Sequence, residues 1–574
     1  MEYLAHTLNL VLVFVALTVS LNLILGYGGM ASMAHATFFC IGGYISATVT
    51  MHWGCNFLVG VGIAIVVTAA VGGALAAPFI RVQNEYLILF TIAFQMVVFH
   101  LMLSLYHITG GDSGIFGVPS PKLFGLVLQS PLYFFPLMVA FVLLVYYVAL
   151  KVTKSPFGRV LKGIREDEKA VSSLGKNVMK FKVIVFMVGT GIAAGAGGIF
   201  AHYSQFISPA LGSLDESILI IAMVVLGGTA NLWGSAVGAF LLIIIPEILN
   251  FLPGASDLIV PLRGFIYGIL LILFMRFRPE GFIPEYFHVR RPRKSEAMPE
   301  TFSHPAPVLD CNLQTFKKEP TQSRCILELK GCSKSFGGLK AVDDFYMQLE
   351  NSKVTALVGP NGCGKSTVFN LVTGFLKPDK GRIYFQNSDI TNLPAYRMPH
   401  IGIVRSWQDV RNFQDMTVLD NVLIANQDQG GESLIRLFFT PWRVKREGEE
   451  NFRKALFYLE KVGLMERRLE IVRNLSYAEQ KLLAIARLIS TGAQILLLDE
   501  PSSGVDPKGV EQFMSIIRNL AKSGKTICIV EHNLEVVRGV SDTVFFMSEG
   551  RNITQGSAQE LMADPKLREI YFGV

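Results

Sequence analysis

The chain of 574 residues is 51% hydrophobic and 17% charged, with a mean hydropathy of +0.42 and a net charge of +7. That balance excludes a chain that is soluble throughout and one that is embedded in lipid throughout, and the length allows two or three units. The basic excess is no nucleic-acid footprint, because much of it sits in two clusters beside apolar runs, where cytoplasmic membrane-edge anchors belong.

Up to residue 150 the only Lys or Arg residues are Arg81 and Lys122, and none lies between Lys182 and Arg263. Apolar runs near 20 residues recur at 4–25, 30–49, 57–80, 86–106, 131–151, 183–203, 217–227, 233–252 and 259–275, the length a helix needs to cross the hydrocarbon core. The run at 217–227 is short and ends in Gly. The first run lacks the basic lead-in of a cleaved signal and is expected to stay as a span. Among the polar residues inside the runs, His35 and Gln95 are candidates for the solute pathway or for helix–helix hydrogen bonds, and Glu247 for snorkelling at a span end.

The loop 151–182 carries nine Lys/Arg residues and is expected on the cytoplasmic side. Counting spans from it places the amino terminus and the 107–130 loop outside. Its interior, 164–174, has the spacing of one short amphipathic helix stopped by Gly175, a shape suited to receiving force from a domain below the membrane. The stretch 282–324 holds six prolines, at positions 284, 292, 299, 305, 307 and 320, and reads as a flexible linker.

Beyond it the sequence becomes specific. KVTALVG (353–359) is a short strand running into GPNGCGKST (359–367), the GxxxxGK[ST] phosphate loop in its strand–loop–helix context. Gly359, Gly362 and Gly364 let backbone amides curl round phosphate oxygens, joined by those of Asn361 and Cys363. Lys365 reaches the β- and γ-phosphates, Ser366 is placed to ligate Mg²⁺, and Thr367 opens the helix. QILLLDE (494–500) ends a strand in two carboxylates: Asp499 suits the Mg²⁺ shell, and Glu500 suits a base for the attacking water. His532 follows another strand, where an imidazole can hold the γ-phosphate and the water. In LSYAEQ (475–480), Ser476 is a natural N-cap for the helix behind it.

Together these motifs resemble an ABC importer of the branched-chain amino acid uptake family, its permease and ATP-binding subunits fused. The permease resemblance covers essentially all of 1–284 and rests on LNLILGYGGMASMAHATFFCIGGYISA (21–47), TGGDSGIFGVP (109–119), VLGGTANLWGSAVG (225–238) and YGILLILFMRFRPEG (267–281). It also rests on Arg165, Glu168, Ala170 and Gly175, which match the coupling-loop pattern. The ATPase resemblance covers 326–574. It identifies Gln408 with the glutamine loop that reaches Mg²⁺, Phe336 with the residue that stacks on adenine, and 502–506 with a loop at the dimer interface. It makes Ser476, Ala478, Glu479 and Gln480 the signature motif, which caps ATP held by an opposing ATPase. Ala478 departs from the glycine usual there, and its methyl group could crowd the γ-phosphate contact. The ending at 571–574 also looks like these ATPases.

The implied fold is multi-domain: an all-α polytopic permease of about 8–10 spans at 1–281, the linker at 282–324, and an α/β P-loop ATPase at 325–574. The implied cofactors are ATP and Mg²⁺. The implied partners are a second permease subunit, a second ABC ATPase subunit, an extracytoplasmic solute-binding protein and membrane lipid, with no nucleic acid. The implied location is the bacterial cytoplasmic membrane with the ATPase inside. Rival readings are a urea or short-amide importer, an exporter, and an ATP-gated channel or regulatory nucleotide-binding protein.

Overall fold

The computed structural model describes residues 2–79, 84–123, 126–249, short stretches between 265 and 278, 280–285, and 325–563. Most of the linker, the run at 259–275 apart from short stretches, and the 571–574 ending lie outside the described residues. The chain divides into two compact units. One holds Met1–Arg165, Val178–Arg290 and Gly431–Phe438; the other holds Glu166–Asn177, Arg291–Gly430 and Phe439–Val574.

The first unit is a helical bundle of α1 (Glu2–Asn22), α2 (His35–Trp53), α3 (Phe57–Phe79), α4 (Asn84–Ser104), α5 (Pro131–Thr153), α6 (Pro156–Glu166), α8 (Val178–Ser204), α9 (Leu214–Gly227) and α10 (Leu232–Leu249), while α7 (Glu168–Ser173), between α6 and α8 in the chain, belongs to the second unit. Among the described residues, five helical segments, Glu2–Tyr27, Phe57–Pro78, Tyr86–Ser104, Pro131–Thr153 and Val178–Ser204, are long and apolar enough to cross a membrane. α2 and α8 pack backbone to backbone. A Cβ on Gly42 would collide with Ala194, and one on Gly197 with the Phe39 carbonyl, the small-residue contact that membrane bundles use.

Two departures from the expected runs have local causes. The second run begins its helix only at His35, after a π-helical turn at Leu23–Tyr27 and a non-helical passage. The 164–174 stretch is two helices and not one. Asp167 leaves helical geometry (φ −153°, ψ 102°) and its side chain accepts the Ala170 amide, so a strong N-cap residue starts a new helix where continuous spacing suggested one. Gly175 (φ +87°) ends it as expected.

Buried polar side chains tie the bundle together. His35 Nε2 lies 2.7 Å from Ser20 Oγ, and Gln95 Nε2 donates to Gly212 O and Ser217 Oγ, each at 3.0 Å. Both residues therefore make hydrogen bonds between helices or to the loop before α9. Glu247 accepts the Tyr3 hydroxyl at 2.5 Å. At one end of the bundle Asn9 Nδ2 donates to Pro131 O (2.8 Å), and residues 115–116 pair with 206–207. At the other, Arg165 donates to Gly26 O (2.7 Å) and pairs with Glu285 (2.8 Å), which Lys162 also meets at 2.9 Å. α9 is fourteen residues long, about 21 Å at 1.5 Å per residue. It runs toward that second end, where Phe282 N and Ile283 N donate to Leu226 O and Gly227 O.

The second unit is α/β. An antiparallel sheet contains β1 (Cys325–Phe336), β2 (Leu339–Glu350) and β4 (Lys380–Phe385) in the order β2-β1-β4, with 388–389 at its edge. A six-stranded sheet contains β3 (Val354–Val358), β5 (Ile403–Arg405), β6 (Ile495–Asp499), β7 (Thr526–Val530), β8 (Thr543–Ser548) and β9 (Arg551–Gly556), in the order β5-β6-β7-β3-β8-β9. All pairs are parallel except β8–β9. β3, β6 and β7 are buried at every residue, as strands covered on both faces must be. Helices α11 (Lys365–Val372), α12 (Val418–Ala425), α13 (Leu434–Phe439, which starts in the first unit), α14 (Pro441–Lys461), α15 (Tyr477–Ser490) and α16 (Pro507–Lys522) complete the set used below. A separate core of α12, α14 and α15 residues, including Val422, Leu459 and Leu483, makes a helical subdomain.

Candidate active site

Parallel strands present their carboxyl ends to a common edge, and ligands of open α/β sheets bind there. Here the order β5-β6-β7-β3 sets Gln408, Glu500, His532 and the 359–366 loop side by side just beyond those ends.

The loop leaves β3 and closes on α11. Gly362 and Gly364 take φ of +80° and +107°, strained for any residue with a Cβ. At Gly364 a Cβ would also strike the Ala341 carbonyl. α11 begins at Lys365 without a side-chain cap, so its first amides are left for an anion. The buried Lys365 Nζ donates to Gly359 O (2.8 Å) and Pro360 O (2.9 Å), which holds it across the loop. Burial pushes the Cys363 thiol up, with Lys365 pulling the other way. Phe336 ends β1 with its ring exposed, paired with Leu339, two residues before Ala341.

Glu500 is the hub. It sits at φ +46°, a costly conformation outside glycine that marks a position fixed by its surroundings. One carboxylate oxygen lies 3.2 Å from His532 Nε2, and the other accepts Gln408 Nε2 at 3.2 Å. Asp499, at the end of β6, is buried against Arg405 (3.0 Å), with both side chains only 3% exposed. Burial pushes the Asp499 carboxyl above the usual carboxylate range, and Arg405 opposes it. Burial also pulls the Arg405 guanidinium down to about 10.

The stretch at 475–480 opens its helix with a capping box. Ser476 Oγ accepts the Glu479 amide, and the Glu479 carboxylate accepts the Ser476 amide at 2.8 Å. Ser476 is exposed. Gln480 turns inward, its carbonyl accepting Asn412 Nδ2 (2.7 Å) and its Oε1 accepting Gln414 Nε2 (3.2 Å). Tyr477 lies 3.0 Å from where a Cβ on Gly504 would stand, which places the 502–506 turn beside that stretch.

Residues 3–275 match the family model for the permease component of branched-chain amino acid transport systems, and residues 342–503 match that for ABC transporters. The high-affinity branched-chain amino acid transport ATP-binding protein LivG of Salmonella typhimurium is 34% identical over 252 residues, 44% of this chain and 99% of that protein. The chain belongs to the ABC transporter family. BraF of Pseudomonas aeruginosa, a high-affinity branched-chain amino acid transport ATP-binding protein, is 35% identical over 253 residues, 44% of this chain and 99% of BraF. A crystal structure of a nucleotide-free ATP-binding cassette from an ABC transporter is 37% identical, covers 44% of this chain and 100% of its own, and gives a TM-score of 0.39. This ABC transporter chain thus carries a permease domain and a transport ATPase in one polypeptide.

The ATPase unit also contains Glu166–Asn177, from the basic loop 151–182. Asp167 pairs with Arg411 (2.8 Å), and Glu166 accepts the Asp415 amide (3.2 Å). The Leu174 carbonyl accepts Gln427 Nε2 (2.7 Å), the Gly175 carbonyl lies 2.8 Å from His400 Nε2, and Lys176 donates to Asn426 O (2.5 Å). Ala170 is fully buried. Arg165 belongs to the permease unit, in its contacts with Gly26 and Glu285.

Five residues that spacing did not single out complete the site. Trp407 is flanked by two guanidinium groups, Arg405 at 4.2 Å and Arg411 at 4.6 Å. Contacts thereby run unbroken from Asp167 through Arg411, Trp407 and Arg405 to Asp499. Buried Lys481 donates to the carbonyls of Glu500 (2.8 Å) and Ser503 (2.5 Å). Buried Glu531 accepts the Ser502 and His532 amides at 2.8 and 3.2 Å and so aligns both loops.

Proposed function

We propose that this chain is the permease-plus-ATPase half of an importer that uses ATP hydrolysis to carry a small solute, a branched-chain or other amino acid, across the cytoplasmic membrane. The carrying observation is the pairing, in one polypeptide, of a branched-chain-type permease domain with an ATPase whose relatives serve branched-chain amino acid transport.

In this reading Phe336 stacks on adenine, while the amides of 359–367 and Lys365 hold the phosphates. Ser366, Gln408 and Asp499 offer hydroxyl, carboxamide and carboxylate oxygens, the hard donors Mg²⁺ prefers; bound there, the ion neutralises phosphate charge. Glu500, gripped by His532 on one side and Gln408 on the other, polarises the attacking water. Ser476, Ala478, Glu479 and Gln480 meet ATP held by a second ATPase. A second permease subunit and an extracytoplasmic binding protein complete the machine. Arg165, Glu168, Ala170 and Gly175 belong to the coupling loop that relays ATPase motion to the permease.

The test compares phosphate release in vesicles by wild type and Glu500→Gln. A fall of about 100-fold is expected, at the lower end of what a positioned base contributes. Equal rates would remove the pump reading. Competition of leucine against urea and short amides for uptake then tests the solute class.

A further inference from the structure

The ATPase unit carries an apolar and basic surface that its own core does not use. α14 is 21 residues long, yet its buried residues are only Ala455 and Leu459, both in its second half. Its first turns expose Trp442 (66%), and Phe439 just before them is 76% exposed. Arg443, Lys445 and Arg446 around them are also exposed. One turn before Phe439 on α13, Ile435 is 73% exposed, so residues 435 and 439 share the i, i+4 face of that helix, and Thr440 (φ −132°) separates it from α14. Monomeric proteins seldom leave large aromatic and aliphatic side chains clustered in water.

Position in the chain says what covers them. In the permease unit, Lys151 Nζ sits 4.8 Å from the Phe438 ring. Lys151 lies in the last turn of α5, one of the membrane-length apolar helices. Phe439 is the next residue and Trp442 is four beyond Phe438, so connectivity alone keeps both near the end of that span. A tryptophan and a phenylalanine with three cations close by in sequence, a few residues from the end of a membrane-length helix, have the composition of a segment lying in the headgroup layer.

We propose that residues 435–446 dock on the bilayer surface, with Ile435, Phe439 and Trp442 inserted at the headgroup boundary. Arg443, Lys445 and Arg446 meet anionic lipid headgroups. The segment thereby steadies the helical subdomain, which also carries the signature, beside the membrane.

The test uses the full chain in vesicles of phosphatidylcholine, alone or mixed with phosphatidylglycerol, that include a lipid spin-labelled near its headgroup. Trp442 emission is taken as the difference between wild type and Trp442→Phe. Lipid quenching of that emission should be about twofold stronger with anionic lipid and should return toward the neutral-vesicle value in Arg443→Gln/Lys445→Gln/Arg446→Gln. Quenching by aqueous iodide with none by lipid would overturn the proposal, as would shielding from both, which would mean that a protein subunit covers the face. Equal lipid quenching in the two vesicle types would overturn the choice of anionic headgroups.

Discussion

Arg405 and Asp499 show how much of the ATP site depends on a partner that no motif names. The pair is buried at the carboxyl end of β6, and removing one member of a buried ion pair strands the other charge. Arg405→Gln should therefore lower unfolding free energy by about 3 kcal/mol and depress phosphate release, read by denaturant titration beside the activity assay. Cys363 gives a second check. Its raised thiol means less thiolate at any given pH, so iodoacetamide should label it more slowly than a free thiol at neutral pH. The rate should climb as pH rises through the higher range, as peptide mapping would show, and labelling as fast as a free thiol would contradict the burial. GPNGCGKST and the paired carboxylates at 499–500 were legible because their chemistry demands fixed types at fixed spacing. Arg405, Trp407, Lys481 and Glu531 were not, because they reach the site from separate strands and helices that only folding brings together.

Among the elements, the 166–177 segment carries the clearest lesson. Charge and apolar spacing pointed to one helix over 164–174, and the structure breaks it at Asp167. The break matters, because Asp167 at the start of α7 both caps that helix and pairs with Arg411. Loss of the cap costs about 1 kcal/mol, and the partly exposed pair adds little, so Asp167→Ala should still fold. It should keep basal phosphate release while losing about tenfold of the stimulation by solute and binding protein, a coupling of about 1.4 kcal/mol. Equal loss of basal and stimulated rates would show that Asp167 serves stability alone. Trp407→Leu, which removes the ring joining Arg411 to Arg405, should show the same loss of stimulation.

For the whole molecule, charge distribution was the most readable feature. The basic 151–182 loop and the bare stretches on either side set out which ends of the spans belong together. The bundle gathers Arg165, Gly26 and Glu285 at one end and the 115–116 strand at the other. The placement of Gly431–Phe438 with the permease unit was invisible, since nothing in its composition separates it from the ATPase sequence around it.

Uptake into proteoliposomes tests most directly the proposal that hydrolysis in this chain drives solute inward. Vesicles would contain the chain and its partner subunits, with ATP enclosed on the ATPase side and labelled leucine and the binding protein outside. Wild type should accumulate leucine above the external concentration and Glu500→Gln should not. Leucine that merely equilibrates, with or without ATP, would contradict the account.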